Sequence, residues 1–307
     1  MMQTTHDRCG FRATSAGLVY LPARLSLGFA QRSGSAFLPE PQAGWRISGR
    51  VLSSVPTATL QRGQRRPLAL PWHQALTLGP TAVALAPAGS GLGSALLQLV
   101  DATGSALDAR WAAAQACGCS PFDGVPPAQV VVLDTRRAQQ PTTTWDNAVQ
   151  FCHMAATSSG VAVCTADAVV GALLLVELLR GGGSAIGVGA VQRTLAAWLR
   201  AGLVEPPVVQ PQRRREATAL VIGDQLAPLP GRQWWWLGEG PPPAGIDHSL
   251  AFSRFAVGTQ IANIAVQAGA TTALLVGPCA QLVAGQLAEH RVQAVHLQAR
   301  QLPLPSS

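Results

Sequence analysis

The stretch Leu85–Leu99, which reads LAPAGSGLGSALLQL, decides how the rest of the chain is interpreted. An apolar run ends at Pro87, a turn of small residues follows, and a second apolar run begins at Ala95. Three glycines within five residues of this turn let the backbone approach another segment, or a ligand, where a Cβ atom would not fit. The stretch therefore predicts two apolar strands joined by a turn that makes a close backbone contact.

The composition of the chain is that of an ordered globular protein. Of its 307 residues, 48% are hydrophobic, which suffices for one large core or two modest ones. Only 12% are charged, which is less than a disordered chain carries. The formal net charge of +7 is compatible with an anionic partner such as nucleic acid. All 22 basic residues are arginine, a bias that indicates GC-rich coding more than a selected use of guanidinium groups.

Cysteine spacing and hydropathy argue against an exported or membrane-bound protein. The six cysteines are scattered, and the pair Cys117 and Cys119 has no second pair at the spacing of a zinc knuckle. The chain does not open on a basic segment followed by an apolar one, and its longest apolar run, Val161–Leu179, carries Asp167 and Glu177. These features predict a cytoplasmic protein with no membrane partner.

The apolar pattern changes along the chain from mixed strands to alternating strands and helices. Ala128–Asp134 is a β-branched run that ends on an acid, and Ala168–Arg180 has the length and spacing of a buried helix, stopped by three glycines. Residues 228–245, rich in Pro, Gly and Trp, are predicted as loop, and a βαβαβ pattern closes the chain. This order predicts an α/β protein.

Several segments keep the order and spacing of one known family. The turn at Pro87–Ala95 resembles the P-A-G-H-x-L-G-S-A turn of metallo-β-lactamase-fold nucleases of the β-CASP branch. Over residues 17–297 the chain is most similar to the bacterial ligase-associated DNA exonucleases, with the RNA 3′-end processing nucleases as more distant kin. The other matching segments are Gly49–Thr59, Leu76–Gly79, Pro121–Val125, Val130–Thr135, Ala244–Asp247, Ala251–Ser253, Ala268–Ala270 and Leu274–Val276.

The resemblance implies a specific architecture within the α/β (α+β) class. That architecture is a four-layer αββα metallo-β-lactamase sandwich with an inserted β-CASP-like αβ cap domain. Residues 17–140 and 241–300 would form the two parts of the core and residues 141–240 the cap. Residues 1–16 and 301–307 would be tails.

The metal ligands of the family are largely replaced in this chain. The family holds two catalytic zinc ions with an H-x-H-x-D-H motif, the His of the glycine turn, a bridging Asp, the His of an S-D-H-A-D motif and a final H-G. Among these positions, only Glu40 still offers a strong ligand oxygen, and Gln42 offers a weak one. Because a binuclear zinc site needs several ligands around each ion, we expect no metal ion and no other cofactor. The residues at the ligand positions are Glu40, Gln42, Gly44, Trp45, Ser90, Arg110 (with Asp108 as the alternative alignment), Phe255 and Pro278.

One acid of the family motifs remains, Asp134, at the end of the predicted strand Ala128–Asp134. In the first interpretation it is a retained catalytic residue. In the second it is a strand-end carboxylate that caps the following turn. The sequence leaves both interpretations open.

Two arginine sites are candidates for contact with nucleic acid. Arg213, Arg214 and Arg215 form the densest charge run and lie in the segment that covers the nucleic-acid groove in the family, a solvated linker being the alternative. Arg254, next to the Phe255 position, is a further candidate. Trp234–Trp236 would either stack on bases or pack half-buried under a loop or at a protein interface.

The leading functional hypothesis is a degenerate, metal-free homologue of a β-CASP DNA exonuclease, not an enzyme, that binds nucleic acid or acts as a scaffold in DNA repair and processing. The resemblance implies DNA as a partner, together with an ATP-dependent DNA ligase and a DEXH-type helicase. One alternative is an active metal-dependent DNA or RNA exonuclease with a relocated site around Glu40, Asp108 and Asp134. Another is a purely structural subunit of a larger assembly.

Overall fold

The computed structural model describes residues 9–14, 17–28, 35–41, 49–61, 67–141, 143–158, 160–205, 220–224 and 231–297. Within these ranges the chain is a mixed α/β protein with three sheets and six helices, which confirms the predicted class. The chain divides into two compact units. Unit 1 comprises residues 1–114, 121–139 and 256–307, and unit 2 comprises residues 115–120 and 140–255.

Unit 1 contains a six-stranded sheet built from the first part of the chain. Its strands pair in sequence order, antiparallel in the first three and parallel from the third to the sixth. The strands are β1 (Phe11–Thr14), β2 (Gly17–Tyr20), β3 (Leu25–Leu27), β4 (Ser35–Phe37), β5 (Arg50–Ser54) and β6 (Leu68–Leu70). Helix α1 (Val55–Leu60) follows β5, and its N-cap Ser54 accepts a hydrogen bond from the Thr57 amide.

The second sheet of unit 1 has seven strands in the order β18-β17-β11-β10-β9-β8-β7. Strands β7 to β10 form an antiparallel meander, and β10, β11, β17 and β18 run parallel. The strands are β7 (Ala75–Leu78), β8 (Thr81–Pro87), β9 (Ala95–Asp101), β10 (Gly104–Asp108), β11 (Val130–Asp134), β17 (Thr272–Val276) and β18 (Gln293–His296).

The core of unit 1 lies on both faces of this seven-stranded sheet. One face packs on the six-stranded sheet, and their shared cluster includes Phe37 and Leu52 from one sheet and Leu85 and Val132 from the other. The opposite face packs on helices α5 (Gln260–Gln267) and α6 (Ala280–Glu289). Because a strand buried on both faces has no polar side, β11 reads as the apolar run VVVL before its terminal acid.

The glycine turn makes the close contact that the sequence predicts. Gly89 and Gly93 adopt positive φ angles of 75° and 91°. A Cβ atom on Gly93 would lie 2.7 Å from the Thr57 Oγ1 and 2.9 Å from its amide nitrogen, so only glycine fits against the start of α1. The Gly93 carbonyl accepts hydrogen bonds from the Ser54 hydroxyl at 2.6 Å and the Thr57 hydroxyl at 2.8 Å.

Unit 2 is built on a five-stranded parallel sheet in the order β13-β14-β12-β15-β16. The strands are β12 (Val161–Thr165), β13 (Ala185–Gly187), β14 (Leu220–Gly223), β15 (Gln233–Gly238) and β16 (His248–Ala251). The helices are α2 (Trp145–Thr157), α3 (Ala168–Arg180) and α4 (Gly189–Arg200). Helix α3 has the bounds that the sequence predicts, because eight of its residues are buried and Gly181 follows it.

The prediction of a loop over residues 228–245 is wrong at its centre. Strand β15 runs through this segment, and Trp234, Trp235 and Trp236 are only 8%, 7% and 8% exposed. The Trp235 ring packs on Phe151 of α2, with 4.8 Å between ring centroids. Trp is compatible with a buried strand, and the neighbouring prolines and glycines concealed that pattern in the sequence.

Unit 2 extends to Phe255, beyond residue 240, where the sequence places the end of the cap. Strand β16 accounts for this boundary, because it pairs with β15 from Trp235 to Gly238 and so completes the sheet of unit 2. Among the described residues, no helix has the length and apolar character that crossing a membrane requires.

Candidate functional site

The topology of unit 1 brings four of the sequence-predicted site positions to one edge of the seven-stranded sheet. Strands β8, β10, β11 and β17 point in the same direction, because β8 and β10 are each antiparallel to β9 and the other two are parallel to β10. Their carboxyl ends therefore share an edge, called the strand-end edge below. It carries Ser90, Arg110, Asp134 and Pro278.

The centre of the strand-end edge is a buried ion pair between Asp108 and Arg110. The Arg110 Nε and Nη2 atoms each donate a hydrogen bond of 2.7 Å to a different carboxylate oxygen of Asp108. The side chain of Asp108 is fully buried, and that of Arg110 is 9% exposed. This two-point contact is the strongest geometry available to an arginine and a carboxylate.

The Arg110 guanidinium also contacts the six-stranded sheet. Its Nη2 atom donates a second hydrogen bond, of 3.1 Å, to the carbonyl oxygen of Leu27 at the end of β3. Burial lowers the pKa of Arg110, but the attraction of Asp108, and to a smaller extent of Asp134, outweighs it, so the pKa is raised above its ordinary value. The guanidinium is therefore a permanent positive charge at the edge of both sheets.

Asp134, the retained family acid, is engaged by two arginines. The Arg136 Nε and Nη2 atoms lie 2.9 and 2.5 Å from its Oδ2 atom, and the Arg137 Nη1 atom lies 3.6 Å from the same oxygen. The Arg136 amide donates to the Asp134 Oδ1 atom at 3.0 Å. This last contact is the one that the turn-capping interpretation of Asp134 requires.

Ser90 and Glu40 both take part in the packing around the glycine turn. The Ser90 hydroxyl is fully buried and donates to the carbonyl oxygen of Trp111 at 2.9 Å. The Glu40 carboxylate lies 3.4 Å from the Ser94 hydroxyl. Pro278 is exposed at the start of the α6 region. Gln42, Gly44 and Trp45 lie outside the described residues.

The chemistry of this edge does not fit the zinc site that the family resemblance implies. A divalent zinc site needs several nitrogen, oxygen or sulfur ligands directed at one point. Here a guanidinium donates to both oxygens of Asp108, and a second arginine holds Asp134. Across the part of the chain that the structure describes, no three His, Cys, Asp or Glu side chains are grouped so that they could hold a metal ion.

The remaining predicted residues with described positions, Arg254 and Phe255, lie in unit 2. The Arg254 Nε atom donates to the Asp167 carboxylate at 2.6 Å, and its guanidinium carbon lies 4.3 Å from the centre of the Phe255 ring. Arg254 is 7% exposed and Phe255 is also 7% exposed. The described contacts of Arg254 are structural, and its contact with nucleic acid stays a prediction. Arg213, Arg214 and Arg215 lie outside the described residues.

The carboxyl ends of the unit 2 strands are occupied by the chain's own carboxylates. Asp167 follows β12 and accepts a hydrogen bond of 2.8 Å from the Val169 amide at the start of α3. Asp224 follows β14 and accepts one of 2.7 Å from the Ala190 amide at the start of α4. Since a carboxylate at a helix N-terminus takes the place of an external anion, neither helix start is open to a phosphate.

Two of the six cysteines are deeply buried thiols. All six are free, and burial raises the pKa of Cys117 and Cys152 to about 12 each, against a weaker opposing effect of Arg254 on Cys117. Because the thiolate is the nucleophile and the metal ligand, these two buried thiols are inert at neutral pH.

The Asp108–Arg110 pair is the site feature that sequence reasoning missed. Both β10 and β11 end in the same pattern, Asp-x-Arg, as Asp108-Ala-Arg110 and Asp134-Thr-Arg136. In each case the arginine folds back on the aspartate two residues before it. This repeated pattern at two strand ends was the available signal.

Comparison with known proteins shows a shared fold and nothing more specific. No family model matches the chain, and no curated protein matches it. The chain is similar to the crystal structure of a protein of unknown function from Enterococcus faecalis V583, with a TM-score of 0.58 and 8% sequence identity. The alignment covers 89% of this chain and 80% of that one. A likeness at this identity concerns the fold and carries no activity from one protein to the other.

Proposed function

We propose that this chain is a degenerate homologue of the β-CASP DNA exonucleases, a cytoplasmic protein that binds nucleic acid or acts as a scaffold and does not cut. The observation that carries the proposal is the pair formed by Asp108 and Arg110. The family resemblance assigns one of these two positions to a bridging metal ligand. Here the guanidinium of Arg110 binds both oxygens of Asp108, so the carboxylate has a cation of the chain's own as its partner.

The arrangement of unit 1 supports the metallo-β-lactamase part of the proposal. Two sheets pack face to face, and helices α5 and α6 cover the outer face of the seven-stranded sheet. The position of unit 2 in the chain, between two parts of unit 1, is the position of the cap that the resemblance implies. The full four-layer αββα sandwich and the β-CASP identity of unit 2 are parts of the proposal.

The proposed partners follow from the resemblance and from charge. DNA fits the net charge of +7, and Arg213, Arg214 and Arg215 supply the candidate phosphate contacts. A DNA ligase and a DEXH-type helicase are the protein partners that the resemblance to ligase-associated exonucleases implies. The two capped helix starts of unit 2 indicate that phosphate would bind elsewhere than at Asp167 and Asp224.

The alternative of a relocated nuclease site around Glu40, Asp108 and Asp134 finds no support in the contacts of these residues. Arg110 and Arg136 occupy the carboxylates of Asp108 and Asp134. A metal ion would have to displace Arg110 to bind Asp108 and Arg136 to bind Asp134.

Elemental analysis of the purified protein after dialysis without chelator tests the proposal directly. We expect far less than one zinc, manganese or iron ion per chain, because the two carboxylates are already neutralised. One or two ions per chain, together with divalent-dependent cleavage of DNA that disappears in Asp134→Ala, would overturn the proposal and establish the nuclease alternative.

A binding measurement on the same sample separates the nucleic-acid role from the purely structural one. We expect labelled single-stranded DNA to bind at low salt, with an affinity that falls steeply as salt rises. The triple variant R213A/R214A/R215A should bind more weakly and show a smaller salt slope. No binding at low salt, with a protein partner that co-purifies, would favour the structural subunit.

A further inference from the structure

The guanidinium of Arg110 lies where oxygen atoms from both sheets of unit 1 converge. Asp108, at the end of β10 in the seven-stranded sheet, provides two oxygens at 2.7 Å. Leu27, at the end of β3 in the six-stranded sheet, provides a carbonyl oxygen at 3.1 Å. This place therefore has three converging oxygens, one full negative charge and a second carboxylate nearby. Such an arrangement can bind a cation.

The second carboxylate is held in place by the sheet. In the parallel pair of β10 and β11, Asp108 is the register partner of Val132. Side chains alternate along a strand, so Asp134 points to the same face as Val132 and Asp108. That face packs on the six-stranded sheet, because Val132 belongs to the core that the two sheets share.

Gly28 lies beside the Arg110 guanidinium and the Trp111 ring. A Cβ atom placed on Gly28 would lie 3.7 Å from the Arg110 Nη2 atom and 3.7 Å from the Trp111 Cζ2 atom, which are ordinary contact distances. Gly28 has a φ angle of 77°, which is the reason a glycine occurs there. The two donor atoms of Arg110 match the two oxygens of Asp108, so the site suits a planar guanidinium better than a compact point charge.

The neighbouring strand provides an internal control. Arg136 binds Asp134 with the same spacing and the same two donor atoms, but its side chain is 63% exposed, against 9% for Arg110. The two arginines therefore share their local chemistry and differ in burial.

We infer that the end of β10 is a cation-binding site selective for guanidinium, filled by Arg110 of the same chain, and that this cation joins the two sheets of unit 1. The inference deepens the proposed function and rests on it, because it takes the strand-end edge to hold no metal ion. In this protein a side chain supplies the positive charge that a metal ion supplies in the nucleases it resembles.

Chemical rescue tests the inference. Arg110→Ala removes the resident guanidinium and leaves Asp108 buried without its cation, and we expect its melting temperature to fall by about 6 °C or more. Guanidinium chloride at about 1 to 30 mM, far below its denaturing range, should restore part of the loss in a saturable way. Sodium chloride and urea at the same concentrations should not.

Arg136→Ala is the matched control for this experiment. Its melting temperature should change little, and guanidinium should not raise it, because the exposed side chain leaves no enclosed site. A folded Arg110→Ala protein that guanidinium fails to stabilise would overturn the inference. Stabilisation of that variant by manganese or zinc and not by guanidinium would overturn its selectivity.

A second variant keeps the test decisive if Arg110→Ala does not fold. The double variant D108N/R110M removes both charges, and we expect it to fold where Arg110→Met alone does not, because no buried charge is left unpaired. If the double variant also fails to fold, the unpaired charge is not what prevents the single variant from folding, and the inference is wrong. Metal content of the unmodified protein is measured separately, so a metal-bound protein would contradict the proposed function whatever the rescue shows.

Discussion

Strands β10 and β11 lie side by side and end in the same three-residue pattern, yet they place it in different surroundings. Asp108-Ala-Arg110 and Asp134-Thr-Arg136 each fold an arginine back onto an aspartate, with the Nε and Nη2 atoms as side-chain donors. The first pair is buried, with side chains 9% and 0% exposed, while the second has its arginine 63% exposed and its aspartate 10% exposed.

This difference shows that the local sequence sets the geometry of the contact, whereas the surrounding structure sets its contribution to stability. The Asp-x-Arg spacing at a strand end produces the contact in both places. Burial, which is set by the neighbouring sheet, decides what the contact contributes, because a charge in a low-dielectric interior depends on its partner far more than one in water.

Unit 2 contains a third ion pair, in which the carboxylate is the more exposed partner. Arg254 is 7% exposed, but the Asp167 carboxylate that it binds is 35% exposed. Asp167 also caps α3, so the same carboxylate holds both a buried cation and a helix start. The three pairs differ in which partner is exposed: neither partner in the first, the carboxylate in the pair of unit 2, and the arginine in the pair at β11.

The largest predicted effect is the loss of stability in Asp108→Ala. This change leaves the Arg110 guanidinium buried without its carboxylate, and we expect it to lower the free energy of unfolding by about 3 to 5 kcal/mol. Asp134→Ala should lower it by about 1 kcal/mol, since the Arg136 side chain is 63% exposed and already hydrated. Chemical denaturation of both variants and of the unmodified protein measures the difference.

Equal losses of unfolding free energy in Asp108→Ala and Asp134→Ala would contradict the role given to burial. They would mean that burial does not set the contribution of the pair, and that the Asp-x-Arg turn itself carries the stability. A charge-free variant, D108N/R110M, distinguishes these cases, because it should recover much of what Asp108→Ala loses.

A smaller effect is expected for Asp167→Ala in unit 2. The change removes the N-cap of α3 and the partner of Arg254, and we expect a loss of about 2 to 3 kcal/mol in the free energy of unfolding. Asp167→Asn keeps an oxygen for the Val169 amide and removes only the charge, so it should lose less. Denaturation followed by amide exchange in α3 would separate the cap from the ion pair.

If Asp167→Asn is as unstable as Asp167→Ala, the ion pair with Arg254 dominates and the cap contributes little. If it is as stable as the unmodified protein, the ion pair contributes nothing measurable. Either result measures how much the Asp167–Arg254 ion pair contributes when its carboxylate is partly exposed.

Short-range patterns in the sequence anticipated part of this structure, and the same patterns explain where prediction stopped. The strands on either side of the glycine turn, the helix Ala168–Arg180 and the proline in the first turn of α1 follow from local rules of periodicity, capping and backbone freedom. Strand β15 was missed because its three tryptophans lie among prolines and glycines, and its burial depends on the strands beside it.

At the candidate site, too, the sequence predicts local features and not the contacts between distant segments. The sequence indicated that Ser90, Arg110 and Asp134 follow strands, and parallel pairing then brings them to one edge. That Arg110 would also reach Leu27 depends on a contact between segments far apart in the chain. Only the three-dimensional arrangement of the two sheets determines which of the two Asp-x-Arg patterns is enclosed.

The smallest predicted effect concerns a carboxylate of unit 1 whose hydrogen-bond donors, in the described part of the chain, are uncharged groups. Asp101, at the end of β9, accepts hydrogen bonds from the Thr103 hydroxyl at 2.6 Å, from the Thr103 amide at 2.8 Å and from the Tyr20 hydroxyl. Burial raises its pKa, but the bonds from Thr103, Tyr20 and Gly104 together outweigh this, so the pKa lies below its ordinary value.

A depressed pKa in the folded protein gives stability that is present above the ordinary pKa of about 4 and is lost as the pH falls through the folded value. Asp101→Asn should therefore flatten the acid side of the stability profile and leave the neutral region less stable than in the unmodified protein. Tyr20→Phe, which removes one donor from a ring that is 2% exposed, should give an intermediate profile. Unfolding measured from neutral pH down to about pH 3 checks this. An unchanged acid slope in Asp101→Asn would show that the hydroxyl and amide donors do not lower the pKa of this carboxylate.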